Sequence, residues 1–138
     1  MAPDRQRLAL VTGAAGGIGR GVCAMLLGRG YRVVAVDLSA EGLARVVTEL
    51  GPDIIPVVSD ARDRAQVDAL TARIRDEWAD ELEVLVCNAG IIAPSPVAEA
   101  DPEILRTQLD VMLATPIQLI RAAVPAMVAR GSGHVLCT

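Results

Sequence analysis

Val11-Thr12-Gly13-Ala14-Ala15-Gly16-Gly17-Ile18-Gly19 joins the apolar run Leu8-Ala9-Leu10-Val11 to a segment with helical periodicity, Ile18, Val22, Met25 and Leu26. A strand that turns on glycines into a helix makes a phosphate cradle. The first amides of the helix are unpaired, and the macrodipole adds positive potential there. Glycines let a pyrophosphate approach the backbone with no Cβ in the way. The spacing here is Thr-Gly-x-x-x-Gly-x-Gly, which is neither the G-x-G-x-x-G dinucleotide fingerprint nor the G-x-x-x-x-G-K-[ST] nucleotide loop. Taken alone, the loop is also compatible with a plain tight turn, so the rest of the chain has to decide.

Outward from the loop, apolar runs alternate with helical patterns. The predicted strands are Leu8–Val11, Arg32–Val36, Ile54–Val58, Leu82–Cys87 and His134–Cys137. Their nearly continuous apolar character predicts strands covered on both faces, as in a parallel sheet. Ser39 is placed to cap a helix that Gly51-Pro52 stops near Leu50. Asp63-x-x-Gln66 resembles a capping box, with Val67, Leu70, Ile74 and Trp78 following on one face. Asp101-Pro102-Glu103 is a cap with proline at the first helical position. A last helix is expected from about Pro116, bending or adjusting near Pro125 and ending at Gly131-Ser132-Gly133. Strand and helix in alternation predict a Rossmann-type, doubly wound α/β sheet of about five parallel strands, with the ligand crevice beyond their carboxyl ends.

Composition agrees. With 138 residues, 52% of them hydrophobic, the chain is predicted to form one domain with a real core, over residues 1–138. Uninterrupted apolar runs fall far short of a membrane span, and the charged start Asp4-Arg5-Gln6-Arg7 lacks a signal peptide's apolar stretch. A cytoplasmic protein with no membrane partner is the expectation. A net charge of −4 argues against nucleic acid, which needs a clustered basic face. Cys23 lies in a helix while Cys87 and Cys137 end apolar runs, so buried reduced thiols are expected rather than metal ligands. With a single His (His134), zinc is improbable. All thirteen basic residues are arginine, and Tyr31 is the only tyrosine.

Three further signals fall at predicted strand ends. Asp37, followed by Leu38, closes the second strand 18 residues beyond Gly19. In a dinucleotide fold this sets a carboxylate against the adenosine ribose, where it accepts from both hydroxyls and repels a 2′-phosphate. No arginine stands at Ala14, Ala15, Gly16 or Leu38 to reverse that preference, so NAD is expected over NADP. Asp60, followed by Ala61, comes after the third strand; it either accepts from an adenine amine or caps the next helix, and both readings stand. Asn88-Ala89-Gly90 after the fourth strand leaves room for a ligand, although an Asn-x-Gly turn is an ordinary loop device.

Jointly these residues resemble the first half of a short-chain dehydrogenase/reductase. The likeness is collinear from about Leu8 to Thr138 and includes Val111-Met112-Leu113 and Val124-Pro125-Ala126-Met127. It implies a dinucleotide-dependent oxidoreductase exchanging hydride between nicotinamide and a carbinol or carbonyl. The candidate cofactor-binding set is Thr12, Gly13, Gly17, Ile18, Gly19, Asp37, Leu38, Asp60, Ala61, Asn88, Ala89 and Gly90, with the last three implied near the nicotinamide-side ribose. The resemblance also implies pairing of the 116–130 helix with its mate in a homo-oligomer.

The resemblance has breaks. The family's Ser and Tyr-x-x-x-Lys come on the fifth strand and the helix after it, whereas this sequence ends at Thr138, has no lysine, and places Tyr31 before the second strand. No catalytic residue is therefore assigned. Met112 stands where relatives often supply a relay asparagine. Asp110, about 200° away around a helix, cannot replace it, while Gln108 lies on the same face. Cys87 replaces another common asparagine. The chain is thus expected to be the dinucleotide-binding part of a fold that stops before its last strands, binding NAD(H) weakly without turnover. Alternatives are a non-catalytic dinucleotide sensor or one chain of a split enzyme, completed by a missing carboxyl-terminal half. A methyltransferase would share the glycine loop and acidic ribose residue, but not the Asn88-Ala89-Gly90 and 111–127 matches.

Overall fold

Capping residues set the helix boundaries. In a computed structural model, which describes residues 7–138, Ser39 Oγ accepts the Gly42 amide, and Asp63 accepts those of Ala65 and Gln66. Asp101 accepts the amide of Glu103, with Pro102 in the first helical turn. Asp4-Arg5-Gln6 of the charged start lie outside the described residues. The elements run β1 (Leu8–Thr12), α1 (Gly17–Gly28), β2 (Arg32–Asp37), α2 (Ala40–Leu50), β3 (Ile54–Val58), α3 (Arg64–Asp76), β4 (Leu82–Cys87), α4 (Pro102–Leu109), α5 (Thr115–Arg130) and β5 (His134–Cys137). A short 3-10 turn, Val97–Glu99, precedes α4, and a π-helical stretch, Asp110–Ala114, joins α4 to α5.

All five strands are parallel, in the order β3-β2-β1-β4-β5. The chain builds outward from β1 to β3 and then crosses back to β4 on the other side of β1. That reversal opens a crevice at the carboxyl ends of β1 and β4. Two cores flank the sheet. Ala9, Val11, Val33 and Ala35 face α1 and α2, meeting Cys23, Leu26, Leu43 and Val46. Leu8, Leu10, Val34 and Leu85 face α3 and α5, meeting Leu70, Ile74, Trp78, Leu119 and Met127.

Several expectations need correction. Only β1, β2 and β4 are buried on both faces; β3 is half exposed and β5 is exposed along its length, because they are the edges. In β3, Val33 N donates to Asp53 O and Ser59 N to Asp37 O, so odd-numbered residues face β2. Pro56 therefore turns its missing N–H outward, where a strand edge tolerates it. The buried stripe of α1 is Gly19, Cys23 and Leu26, which leaves Ile18 and Met25 at the surface. Cys137 is exposed rather than buried, because it lies on the edge strand.

The last helix, α5, starts at Thr115 beside Pro116 and ends at the Gly131 cap as expected, but no break separates it from α4. Pro102–Arg130 is one continuous helical stretch of 29 residues, with Pro125 inside it. The irregularity falls before Pro116, where the Thr115 amide reaches five residues back to Asp110 O. A proline cannot donate to the carbonyl four residues earlier, and its ring crowds that carbonyl. By length and composition this stretch is apolar enough to cross a bilayer, a property that a search for uninterrupted apolar runs passes over. In the fold, its buried side chains Leu119, Ala122, Ala123 and Met127 pack onto the sheet.

Candidate dinucleotide site

The turn from β1 to α1 is shaped by close approach. Gly13 adopts φ +65°, and a Cβ there would stand 2.9 Å from Ala89 Cα. A Cβ on Gly19 would lie 2.0 Å from Gly13 O, so only glycine lets α1 begin this close to the strand. Gly17 differs, because nothing stands within 4 Å of its would-be Cβ. Gly16 caps α1 with no side-chain acceptor, whereas α2, α3 and α4 are each capped by Ser39, Asp63 or Asp101. The amides opening α1 thus have no side-chain acceptor from a cap.

Thr12 ties this turn to β4. Its Oγ1 accepts the amides of both Asn88 and Ala89 at 3.0 Å. The Asn88 side-chain amide in turn donates to Thr12 O at 3.3 Å and Gly13 O at 3.4 Å, and Asn88 Oδ1 accepts the Thr138 hydroxyl. Asn88 therefore stands behind the crevice as a brace, while Ala89 and Gly90 form its wall.

The crevice has a volume of about 400 Å³ and is mostly apolar, within the range of small-molecule sites. Asp37, Leu38, Asp60 and Ala61 line one part; Thr12, Gly13, Ala89 and Gly90 line another. Gly17, Ile18 and Gly19 lie outside this lining, at the start of α1. Asp37 is held in place from both sides. Oδ2 accepts the Ala15 amide and Oδ1 the Ser39 amide, each at 3.0 Å. Each oxygen keeps a further lone pair for a ligand hydroxyl.

Asp60 does not cap α3; Asp63 does. Asp60 instead pairs with Arg62, whose Nη2 lies 2.7 Å from Oδ2 and whose Nε lies 2.9 Å from Oδ1. The Arg62 guanidinium holds the Asp60 carboxyl below its usual value, outweighing the opposing effect of partial burial. Gln66, predicted to close a capping box on Asp63, donates through Nε2 to Asp63 Oδ2 at 3.0 Å and accepts the Asp60 amide through Oε1 at 2.9 Å.

Sequence reading missed the roof of the crevice, formed by Thr107, Val111, Thr115, Pro116 and Leu119, together with Arg62 at the rim. The Thr115 hydroxyl donates to Ala61 O at 2.8 Å across 54 residues of sequence. Periodicity carries no sign of such a contact. Met112 brings its thioether against Gly90, since a Cβ on that glycine would lie 3.7 Å from Met112 Cε. Tyr31 sits at the start of β2, the opposite end of the sheet from Asp37. The Arg7 guanidinium stacks 4.0 Å over its ring and bonds its hydroxyl, and Glu83 joins the group.

Comparison with known proteins sets this geometry in context. A family model described as short chain dehydrogenase matches residues 7–138. The NADP-dependent 3-hydroxy acid dehydrogenase YdfG of Salmonella typhi is 32% identical over 130 residues, which is 94% of this chain and 52% of that protein. A metagenomic short-chain oxidoreductase solved in complex with NADP is 30% identical with a TM-score of 0.85, over 94% of this chain and 60% of that one. A short-chain dehydrogenase from Streptomyces avermitilis is 28% identical with a TM-score of 0.86, over 98% and 49%. The chain spans about half the length of the curated relatives it matches.

Proposed function

The chain belongs to the short-chain dehydrogenase family, and from that premise we propose that its crevice holds NAD(H) for hydride exchange with a carbinol or carbonyl carbon. The observation that carries this reading is the pairing of an uncapped helix start with a pinned carboxylate, Asp37, at the carboxyl end of the neighbouring strand. The α1 amides suit a pyrophosphate, and Asp37 suits a ribose diol. Asp60, Ala61 and Thr115 suit an adenine edge, and Ala89 and Gly90 leave room beyond it. When bound, the dinucleotide supplies the hydride donor or acceptor. This chain's residues bind and orient it.

Two of the relatives named above are NADP-dependent or hold NADP, whereas Asp37, this chain's own residue at the ribose position, supports NAD. Charge repulsion between Asp37 and a 2′-phosphate is on the order of 3 kcal/mol at contact distance and intermediate dielectric, roughly a 100-fold preference. Arg62, the one guanidinium lining the crevice among the described residues, is engaged with Asp60.

Turnover needs a group that gives or takes the substrate proton. The sequence holds no lysine, and Tyr31 stands at the wrong end of the sheet, so these 138 residues are proposed to bind without turning over. Met112 beside Gly90 favours the second reading, a dinucleotide-binding module with no catalytic duty, since a thioether donates no proton. Isothermal titration with NADH, NADPH and S-adenosylmethionine tests the proposal. Saturable NADH binding, at least tenfold tighter than NADPH and about tenfold weakened by Asp37→Ala, is expected. Tighter NADPH binding would overturn the role given to Asp37, and binding of S-adenosylmethionine alone would overturn the dinucleotide reading.

A further inference from the structure

A second groove runs between α3 and α5. Its cavity of about 440 Å³ is lined by Arg64, Asp68, Thr71 and Arg75 of α3 and by Gln118 and Arg121 of α5. The α3 residues follow one another at four, three and four positions, which keeps them on one face of the helix. Leu70, Ile74 and Leu119, from the adjoining faces, are buried against the sheet. Helix α3 follows β3, the edge opposite β5, so the groove lies on the side of α5 away from that last strand. It shares no residue with the dinucleotide crevice.

Charge sets this groove apart. The chain carries a net charge of −4, yet here three guanidinium groups meet one carboxylate. Asp68 lies 3.8 Å from Arg64. Arg75 and Arg121 pair with no carboxylate among the described residues. Thr71 is buried and donates its hydroxyl to Asp68 O, which gives the groove a polar floor. No lining side chain is aromatic or a large aliphatic, so nothing there would hold a base or a ring. Guanidinium forks match phosphoryl oxygens two at a time. Arg64 and Arg75 stand roughly 16 Å apart along the helix, too far for one phosphate to bridge.

We propose that the α3–α5 groove binds a short linear oligophosphate. Arg75 and Arg121 are its main contacts, Arg64 receives the far end, and the Gln118 carboxamide donates between them. Asp68 opposes the anion by its own charge and by holding Arg64, which makes binding moderate and sensitive to salt. The assignment rests on the residues between two helices and is independent of the cofactor reading.

The test titrates the isotope-labelled full chain with sodium tripolyphosphate at low salt and follows backbone amide and arginine Nε–H signals by NMR. Saturable shifts are expected in the amides of 64–75 and 117–122 and in the Nε–H groups of Arg75 and Arg121. Affinity should be about tenfold tighter than for orthophosphate and should weaken at about 0.15 M salt. Arg75→Ala combined with Arg121→Ala, checked for folding by circular dichroism, should lose about tenfold in affinity. Asp68→Asn removes the opposing charge and should gain about threefold. Cytidine triphosphate, which adds a base to the same phosphate chain, should match tripolyphosphate. Shifts confined to residues 13–19 would put the anion at the start of α1 and overturn the proposal. So would no shift, shifts that never saturate, a double variant that binds like the wild type, or cytidine triphosphate binding far tighter than tripolyphosphate.

Discussion

At the carboxyl end of β1, one hydroxyl oxygen accepts two backbone amides from the far side of the crevice. Thr12 is buried, so removing its oxygen leaves the Asn88 and Ala89 amides without a partner in a place where water replaces them poorly. An unsatisfied buried donor costs about 1–3 kcal/mol. Thr12→Val, nearly the same shape, should therefore lower the unfolding free energy by about 2 kcal/mol or more, read as a lower urea midpoint with an unchanged slope. Thr12→Ser keeps the oxygen and should recover most of it. If the valine variant matched the wild type, the hydroxyl would be a passenger. Asp37 repeats the principle with a carboxylate: its two backbone donors fix an acceptor that would otherwise swing, and they tie Ala15 of the glycine loop to the start of α2.

Among the elements, α1 separates what glycine does for the fold from what it does for a ligand. Gly19→Ala drives a Cβ into Gly13 O, and neither partner is a side chain able to rotate away; a loss of more than 2 kcal/mol in thermal or urea unfolding is expected. Gly17→Ala meets open space and gains helix propensity, so its Tm should hold or rise while NADH affinity falls at least tenfold. Equal loss of stability in both variants would contradict this division. The same helix marks how far sequence could be read. Ser39, Asp63 and Asp101 were legible as caps because a cap is a local bargain between one side chain and the next turn. The strand limits were legible because β-rich runs end where glycine and aspartate begin. Pro116 marked the start of α5 correctly, but nothing in the sequence showed that a π-helical stretch joins α4 to α5 without a break. The site divided likewise. Thr12, Gly13, Asp37 and Asp60 announce themselves at strand ends, but the Thr115–Ala61 bond arises only when α5 is folded against the loop after β3.

For the molecule as a whole, the surface opposite the α5 contact with the sheet remains apolar. Leu109, Leu113 and Ile117, four residues apart, stand exposed in one stripe along the continuous helix, with Val128 further on. A stripe of that length on a small protein favours pairing with its own copy. Light scattering with size-exclusion chromatography should give twice 14.4 kDa at micromolar concentration, and Ile117→Glu should return the monomer without changing the circular dichroism. A monomer in both cases would assign the stripe to some other cover. The sheet also divides the chain's chromophores. Trp78, the only tryptophan, lies in the α3–α5 layer beneath the Arg73 guanidinium, while Tyr31, the only tyrosine, belongs to the α1–α2 layer, and there is no phenylalanine. Tryptophan emission therefore watches one side of the sheet melt and tyrosine absorbance the other. Any spectroscopic record of this protein arrives already sorted by layer.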